Sequence, residues 1–415
     1  MRGLLLAAVA VGGASAQVSG PAANDLQRDL AAARMQLDVR DGAFSGPGWS
    51  LILERAAKAR FIAVGEDHLT REVPAFVGAL CEAVAPQGLA AMAVEAGPEA
   101  TEVVQAGLRA PDRAARMAAF TARYPDAIAF LDIDAENALA ARCAKASANP
   151  SFQLWGLDQE FFGAGGWLLD RILKEPLSPK ARAAVTALRA EEAADAAKAE
   201  ASGDPSKLFI FSASDQALEA ADQLIRQGGG PASQRLFSAL LATHRIYRLN
   251  LEGSADSNLA RARLLKTNLA GRLASRSATV GPGKILLKFG EWHLYRGYNP
   301  LGERDLGNYL AEYADLEGAP SLHIAVLGAR GVHANYAGYG RPLGHTPFVM
   351  SDDDDYHWLR AAMDVALPSG WTVFDLTRLR GHAAGDLPPD WRRLADGYDI
   401  LVLAPMITPA GLIAP

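Results

Sequence analysis

Arg60-Phe61-Ile62-Ala63-Val64-Gly65-Glu66-Asp67-His68 is the stretch on which the fold turns. An apolar run of strand length stops at a glycine, and a carboxylate and an imidazole follow at once. A helical pattern over 73–85 then stops around Pro86-Gln87-Gly88, and a second apolar run, 89–94, ends at Glu95. Strand, helix and strand within roughly 35 residues is a βαβ unit, which requires a parallel sheet.

The same pattern continues along the chain. Helical stretches cover 98–120 and 134–147, and Phe152-Gln153-Leu154-Trp155-Gly156-Leu157 reads as a strand closed by Asp158. Strand patterns return at 284–289, 322–327, 371–374 and 399–403, and the first of these runs into Gly290-Glu291-Trp292-His293. Residues 17–58 read as a polar leader and a helix, with Ser45-Gly46-Pro47-Gly48 as a loop. Between 166 and 278 the strand signal vanishes. Ser178-Pro179 is an N-cap followed by Pro at the first helical position, and it opens a long Ala/Glu/Lys/Arg helix. Further helices are expected over 213–227 and 232–276. The fold class is α/β, a mainly parallel β-sheet flanked by helices with a large all-helical insertion. The expected division is a leader at 1–16, an α/β core at 17–165 and 279–415, and a helical insertion at 166–278 able to serve as a lid.

Composition limits what such a chain can do. Its 415 residues are 50% hydrophobic and 21% charged, with a net charge of −6, which is a globular composition rather than a disordered one. A pI near 5.8 gives no basic face for nucleic acid, and a mean hydropathy of +0.02 argues against an integral membrane protein. Met1-Arg2, the apolar run 4–11 and Ala14-Ser15-Ala16 form a signal peptide cleaved after Ala16, which places the mature chain in a periplasm or outside the cell. That run is shorter than the ~20 apolar residues of a membrane span. The two cysteines, Cys81 and Cys143, suit either a disulfide or two buried thiols.

In an open parallel sheet, ligands bind at the carboxyl ends of the strands. Glu66 and His68, Glu95, Asp158, and His293 all follow apolar runs, so three carboxylates and two imidazoles are expected at one edge. In each Gly-x-x-His motif the glycine lets the backbone turn tightly or approach a ligand closely, and the imidazole can act as a base or bind a metal. Glu72, at i+4 from His68, is a candidate to orient that imidazole, and Asp67 a candidate helix cap. Arg296 could hold a substrate carboxylate or an oxyanion. His244, Tyr247 and Arg248 share one face of an inserted helix. His333, His345 and His357 fall in or near a Gly-rich loop, 328–350, without ligand spacing, and the run 352–355 lacks the pattern of a calcium loop.

The paired Gly-x-x-His motifs and the strand-closing Glu95 resemble the erythromycin esterase, ChaN, TraB and Tiki superfamily. So do Trp155-Gly156-Leu157-Asp158-Gln159-Glu160, Arg263 and Asn268 in Arg-x-x-x-x-Asn, and Tyr398-Asp399-Ile400-Leu401-Val402-Leu403-Ala404-Pro405. The similarity covers about 60–405. In the Tiki-like branch it implies a metal-dependent peptidase with the ion (Zn, Mn or Co) held by His68, His293 and Glu95. In the esterase branch it implies an activated water and a His/Glu pair. That branch has two residues between Glu and His, whereas only Asp67 separates Glu66 from His68. This spacing is closer to the ChaN branch, whose members bind haem. The expectation is an exported hydrolase cleaving an ester or amide of a small molecule or peptide. Its catalytic residues would be Glu66, His68, Glu95 and His293, with Asp158, Glu72, Arg263 and Arg296 binding substrate or lying behind them. The alternative is a haem- or iron-binding protein without catalysis.

Overall fold

A computed structural model describes residues 21–147, 149–277, 283–383 and 385–413; the leader expected at 1–16 lies outside them. The strands are β1 Arg34–Arg40, β2 Ala43–Ser45, β3 Phe61–Glu66, β4 Leu89–Val94, β5 Gln153–Gly156, β6 Lys284–Gly290, β7 Ser321–Gly328, β8 Arg330–Asn335, β9 Gly344–Val349, β10 Trp371–Asp375 and β11 Ile400–Ala404. Nine of them form one sheet in the order β2-β1-β10-β11-β7-β3-β6-β4-β5. From β11 to β5 every neighbouring pair is parallel, whereas β10, β1 and β2 extend that edge antiparallel. The α/β class and its mainly parallel sheet are as the apolar runs implied.

The central strands are largely apolar because helices cover both faces. Every residue of β3 and of β4 is buried. The helices Glu72–Val84 and Asp134–Ala146 pack on one another, and Cys81 and Cys143, one on each, are joined by a disulfide with Cα atoms 5.5 Å apart. Of the two readings for these cysteines, the chain takes the paired one.

Several local expectations change. The 17–58 segment holds the β1–β2 hairpin between two helices. In β1 only Leu37 is fully buried, so an edge strand of Arg34-Met35-Gln36-Leu37-Asp38-Val39-Arg40 carries almost no apolar signal. The loop expected at 328–350 is largely the antiparallel β8–β9 hairpin. The helix expected at 98–120 is two, Pro98–Gly107 and Arg113–Arg123. That expected at 232–276 is also two, Pro231–Leu251 and Asp256–Ser277, parted at Gly253, which takes φ +69°. Within 166–278 the described elements are all helical, and Ser178 caps its helix by accepting from the Ala181 amide.

Arg296 belongs to this framework and not to the site, a correction to its expected role. Its guanidinium grips Asp399 at 2.9 and 2.6 Å and donates to the Ser321 carbonyl, away from the carboxyl ends of the strands. Asp399 also accepts from Arg380 and from the His323 amide. Burial opposes its charge, but Arg296 holds its carboxyl down to about 2. A depressed carboxylate contributes stability above its ordinary range, and that contribution is lost as pH falls toward 2. Arg296→Met is expected to cost on the order of 3 kcal/mol in urea unfolding at pH 7, with a smaller penalty near pH 2. An equal loss at both pH values would show that the pair contributes nothing.

Candidate active site

The parallel register pairs Glu66 with Gly290 and sets Val94 opposite Lys288, two residues earlier on β6, and the side chains at these strand ends meet. His68 donates through Nδ1 to Glu66 Oε1 at 2.8 Å, and its Nε2 lies 3.3 Å from Glu95 Oε2. That second approach is electrostatic, since it is off hydrogen-bond alignment. His293 repeats the arrangement: Nδ1 is 2.6 Å from Asp305 Oδ2 and Nε2 is 3.6 Å from Glu95 Oε1. Two imidazoles, each anchored by a carboxylate at Nδ1, thus flank one carboxylate with their Nε2 atoms.

Glu95 is further held by the Gly290 amide, 2.6 Å from Oε2, and by Arg261, 2.6 Å from Oε1. The Arg261 guanidinium also forks onto Asp158 through Nε and Nη2. Asn268, from the same helix, donates to the Leu157 carbonyl at 2.7 Å. Asp158 therefore sits beside the pair of imidazoles as the arginine's second partner. On the far side of Glu66, Lys288 donates to Glu66 and, at 2.6 Å, to Glu136.

The two motif glycines are explained by close approach. A Cβ on Gly65 would lie 2.4 Å from the Tyr398 hydroxyl and 2.8 Å from Glu291 Cα, and one on Gly290 would lie 2.8 Å from His68 Nε2. Phe130, at φ +60°, stacks on the His68 ring with centroids 4.3 Å apart. A non-glycine residue in that backbone region is strained and belongs typically to a site that needs it. Together Phe130, Glu66, His68, Glu95, Glu136 and Lys288 enclose a space of about 10 Å³, room for one water.

The charges are unequal around the two imidazoles. Burial opposes the charged form of His68, but Glu95 and Glu66 raise it to about 10. For His293, burial and the Arg261 cation oppose the charge, and Asp305 and Glu95 still carry it above its ordinary value. Glu95, despite burial, is held well below the carboxylate range by His68, His293 and Arg261. Glu66 is lowered against burial by Lys288 and His68.

Of the residues expected here, Glu66, His68, Glu95, Asp158 and His293 come together and three others do not. Glu72 accepts from the Thr408 amide and hydroxyl at 2.8 and 2.7 Å, tying down the C-terminal segment instead of orienting His68. Arg263 is exposed; the helix turns Arg261 inward, two positions earlier. Arg296 is the framework residue already described. Asp67, expected as a helix cap, lies 2.8 Å from His333 Nε2, and His244 is buried between the Ile210 carbonyl and Asp215. Asp305, Arg261 and Phe130 escaped sequence reading because no strand end or motif precedes them.

A divalent ion on His68, His293 and Glu95 does not fit this donor set. Both Glu95 oxygens are engaged, Oε2 by the Gly290 amide and Oε1 by Arg261, whose guanidinium already stands where a cation would neutralise that carboxylate. Among the described residues no group of three His, Cys, Asp or Glu side chains is disposed to hold a metal.

No family model and no curated protein matches the sequence. Solved structures do. The chain is similar to a mutant of the erythromycin esterase EreC in its open conformation, with TM-score 0.59, 15% identity, and 88% of this chain and 95% of that one covered. A succinoglycan biosynthesis protein gives TM-score 0.57 at 14% identity, covering 95% and 100%. A Bacillus cereus protein gives 0.55 at 13%, covering 95% and 99%. The chain has the erythromycin esterase fold, as the motif resemblance implied, and no described helix is long and apolar enough to cross a membrane.

Proposed function

We propose that this protein is a hydrolase that opens an ester of a small molecule with a water activated by histidine, without a resident metal. The observation that carries the reading is the pair of carboxylate-anchored imidazoles whose Nε2 atoms converge on Glu95. Their similarity to an esterase in fold supports the reaction class and not a particular substrate.

Pairs of titratable groups pushed apart by their surroundings reveal acid and base roles. His68, between two carboxylates, holds its proton at neutral pH and is the acid. His293 shares Glu95 with the Arg261 cation, which opposes its charge, and is the base. His293 takes a proton from water as the water oxygen attacks the ester carbonyl. His68 stabilises the developing oxyanion and then gives its proton to the leaving alkoxide as the C–O bond breaks. Products are the acid and the alcohol, and the proton gained by His293 passes through solvent back to His68, which resets both groups. Glu95 holds the two Nε2 atoms on either side of its carboxylate, one toward each oxygen. An amide is the harder substrate for the same machinery, because its nitrogen leaves less readily.

The haem-binding alternative has less support: both imidazoles are hemmed by carboxylates, and the space beside His68 admits a water rather than a macrocycle. An export leader ending at Ala16 forms part of the proposal.

The test is turnover of purified protein on a panel of small-molecule esters and amides, before and after dialysis against EDTA. Expected are ester turnover that survives the chelator and a loss of about 10²–10⁴-fold in His293→Gln. Turnover that needs added Zn²⁺ or Mn²⁺, or turnover unchanged in His293→Gln, overturns the mechanism.

A further inference from the structure

Lys288 is a lysine in the middle layer of an α/β protein, on a strand whose other residues from Ile285 onward are apolar or glycine. It is buried, and so are both of its partners, Glu66 and Glu136. Buried lysines are rare and costly unless paired and hydrogen-bonded. A methionine or leucine would fill the same space at no electrostatic cost, so the ion pairs call for a reason beyond packing.

The geometry supplies one. Glu136 Oε1, Lys288 Nζ, Glu66 Oε1 and His68 Nδ1 form an unbroken chain, with 2.6 Å between the first two and 2.8 Å between the last two. The chain draws on three elements: the helix Asp134–Ala146, β6 and the end of β3. All four side chains line the same water-sized space as Glu95. Without Lys288, Glu66 would face Glu136 with no cation between them, and two buried carboxylates at that spacing cannot both stay ionised. Glu66 would then lose its fixed position under His68.

Resting on the hydrolase reading, we propose that Lys288 and Glu136 are positioning residues that fix Glu66, so that the His68 ring is held with Nδ1 on Glu66 and Nε2 toward Glu95. Neither touches the substrate. They act through Glu66, as the partners behind a catalytic or ligating histidine commonly do. Burial pushes Glu136 up to about 7 while Lys288 draws it down, so this outer carboxylate, and not Glu66, takes up a proton first. The other charged groups facing the chain are Glu95 and, beyond it, Arg261 and His293.

The experiment reads the His68 Nδ1 proton by NMR on the full-length protein without substrate. A proton held between imidazole and a buried carboxylate resonates far downfield, and His68→Gln identifies the signal by removing it. Lys288→Met is expected to abolish or shift that signal, and Lys288→Arg, which keeps charge and donors, to restore it. In parallel, Lys288→Met should lower kcat for the cleaved ester about 10- to 100-fold with KM unchanged. If the methionine variant does not fold, Lys288→Gln, which keeps one hydrogen bond and no charge, carries the same expectation. An unchanged downfield signal in a folded Lys288→Met or Lys288→Gln variant overturns the proposal. Because the signal needs no turnover, its behaviour is separate from whether the protein cleaves esters.

Discussion

Replacing His68 with glutamine is expected to lower kcat/KM for ester cleavage about 10²–10⁴-fold, the usual contribution of a general acid or base. Glutamine keeps a donor of similar reach but has no proton to pass on. The pH profile separates this role from mere packing. His68 must be protonated to act as the acid, and Glu95 and Glu66 raise it against burial to about 10. Activity therefore falls as pH rises through about 10. In Glu66→Gln a neutral amide replaces the carboxylate at Nδ1, one of the two supports is gone, and the alkaline limb moves to lower pH. A limb that stays in place in Glu66→Gln would remove His68 from the acid role. Stability follows the same sign. The folded-state value lies above the ordinary 6.5 of histidine, so the ion pairs stabilise fully below about 6.5, and that contribution is lost as pH rises through about 10.

Arg261→Met is expected to be the most damaging single substitution outside the imidazoles. The guanidinium is largely buried and is shared by Glu95 and Asp158. Removing it leaves two buried carboxylates without their cation, a loss of about 3–5 kcal/mol. Arg263→Met, on the exposed side of the same helix, should stay within about 0.5 kcal/mol in urea unfolding. The arginine also has an electrical effect on the base. Its cation opposes the charge on His293, so in Arg261→Met His293 holds its proton to higher pH. The acid limb of kcat/KM then moves upward, because the base must be deprotonated to act. Equal stability for the two arginine variants, or an acid limb that moves down, would contradict this account of Arg261.

These effects show how unevenly the site was written into the chain. His68 and His293 were visible because each stands three residues past a glycine that ends an apolar run, and Glu95 and Asp158 because each closes one directly. A strand end carries its own position, since a parallel sheet aligns such ends whatever the loops do. Asp305 has no such marker. It lies in the connection after His293, beside the helix Leu306–Leu316, and only the folded loop brings its Oδ2 within 2.6 Å of the imidazole. Arg261 and Arg263 are equivalent in sequence, and helical phase decides between them: two residues along a helix turn a side chain by roughly 200°. The same applies to Glu72, which helical spacing could place near His68 and which the packing of the C-terminal segment draws to Thr408 instead.

What the sequence determined alone is the part governed by local pattern. Short apolar runs that end at glycine or a carboxylate and alternate with helical stretches read as buried strands, and their βαβ spacing makes the sheet parallel, so the fold class and the edge that collects polar residues follow. Tertiary structure decided everything that depends on which face turns inward and which distant group comes to meet it. That includes the anchoring of both imidazoles, the arginine between Glu95 and Asp158, and the pairing of Cys81 with Cys143. It also includes the unequal charges around the two histidines, on which the proposed acid and base roles rest. The reason is that burial and charge separation are properties of position in space. A residue's neighbours along the chain specify them only when the element is regular and its partner is local.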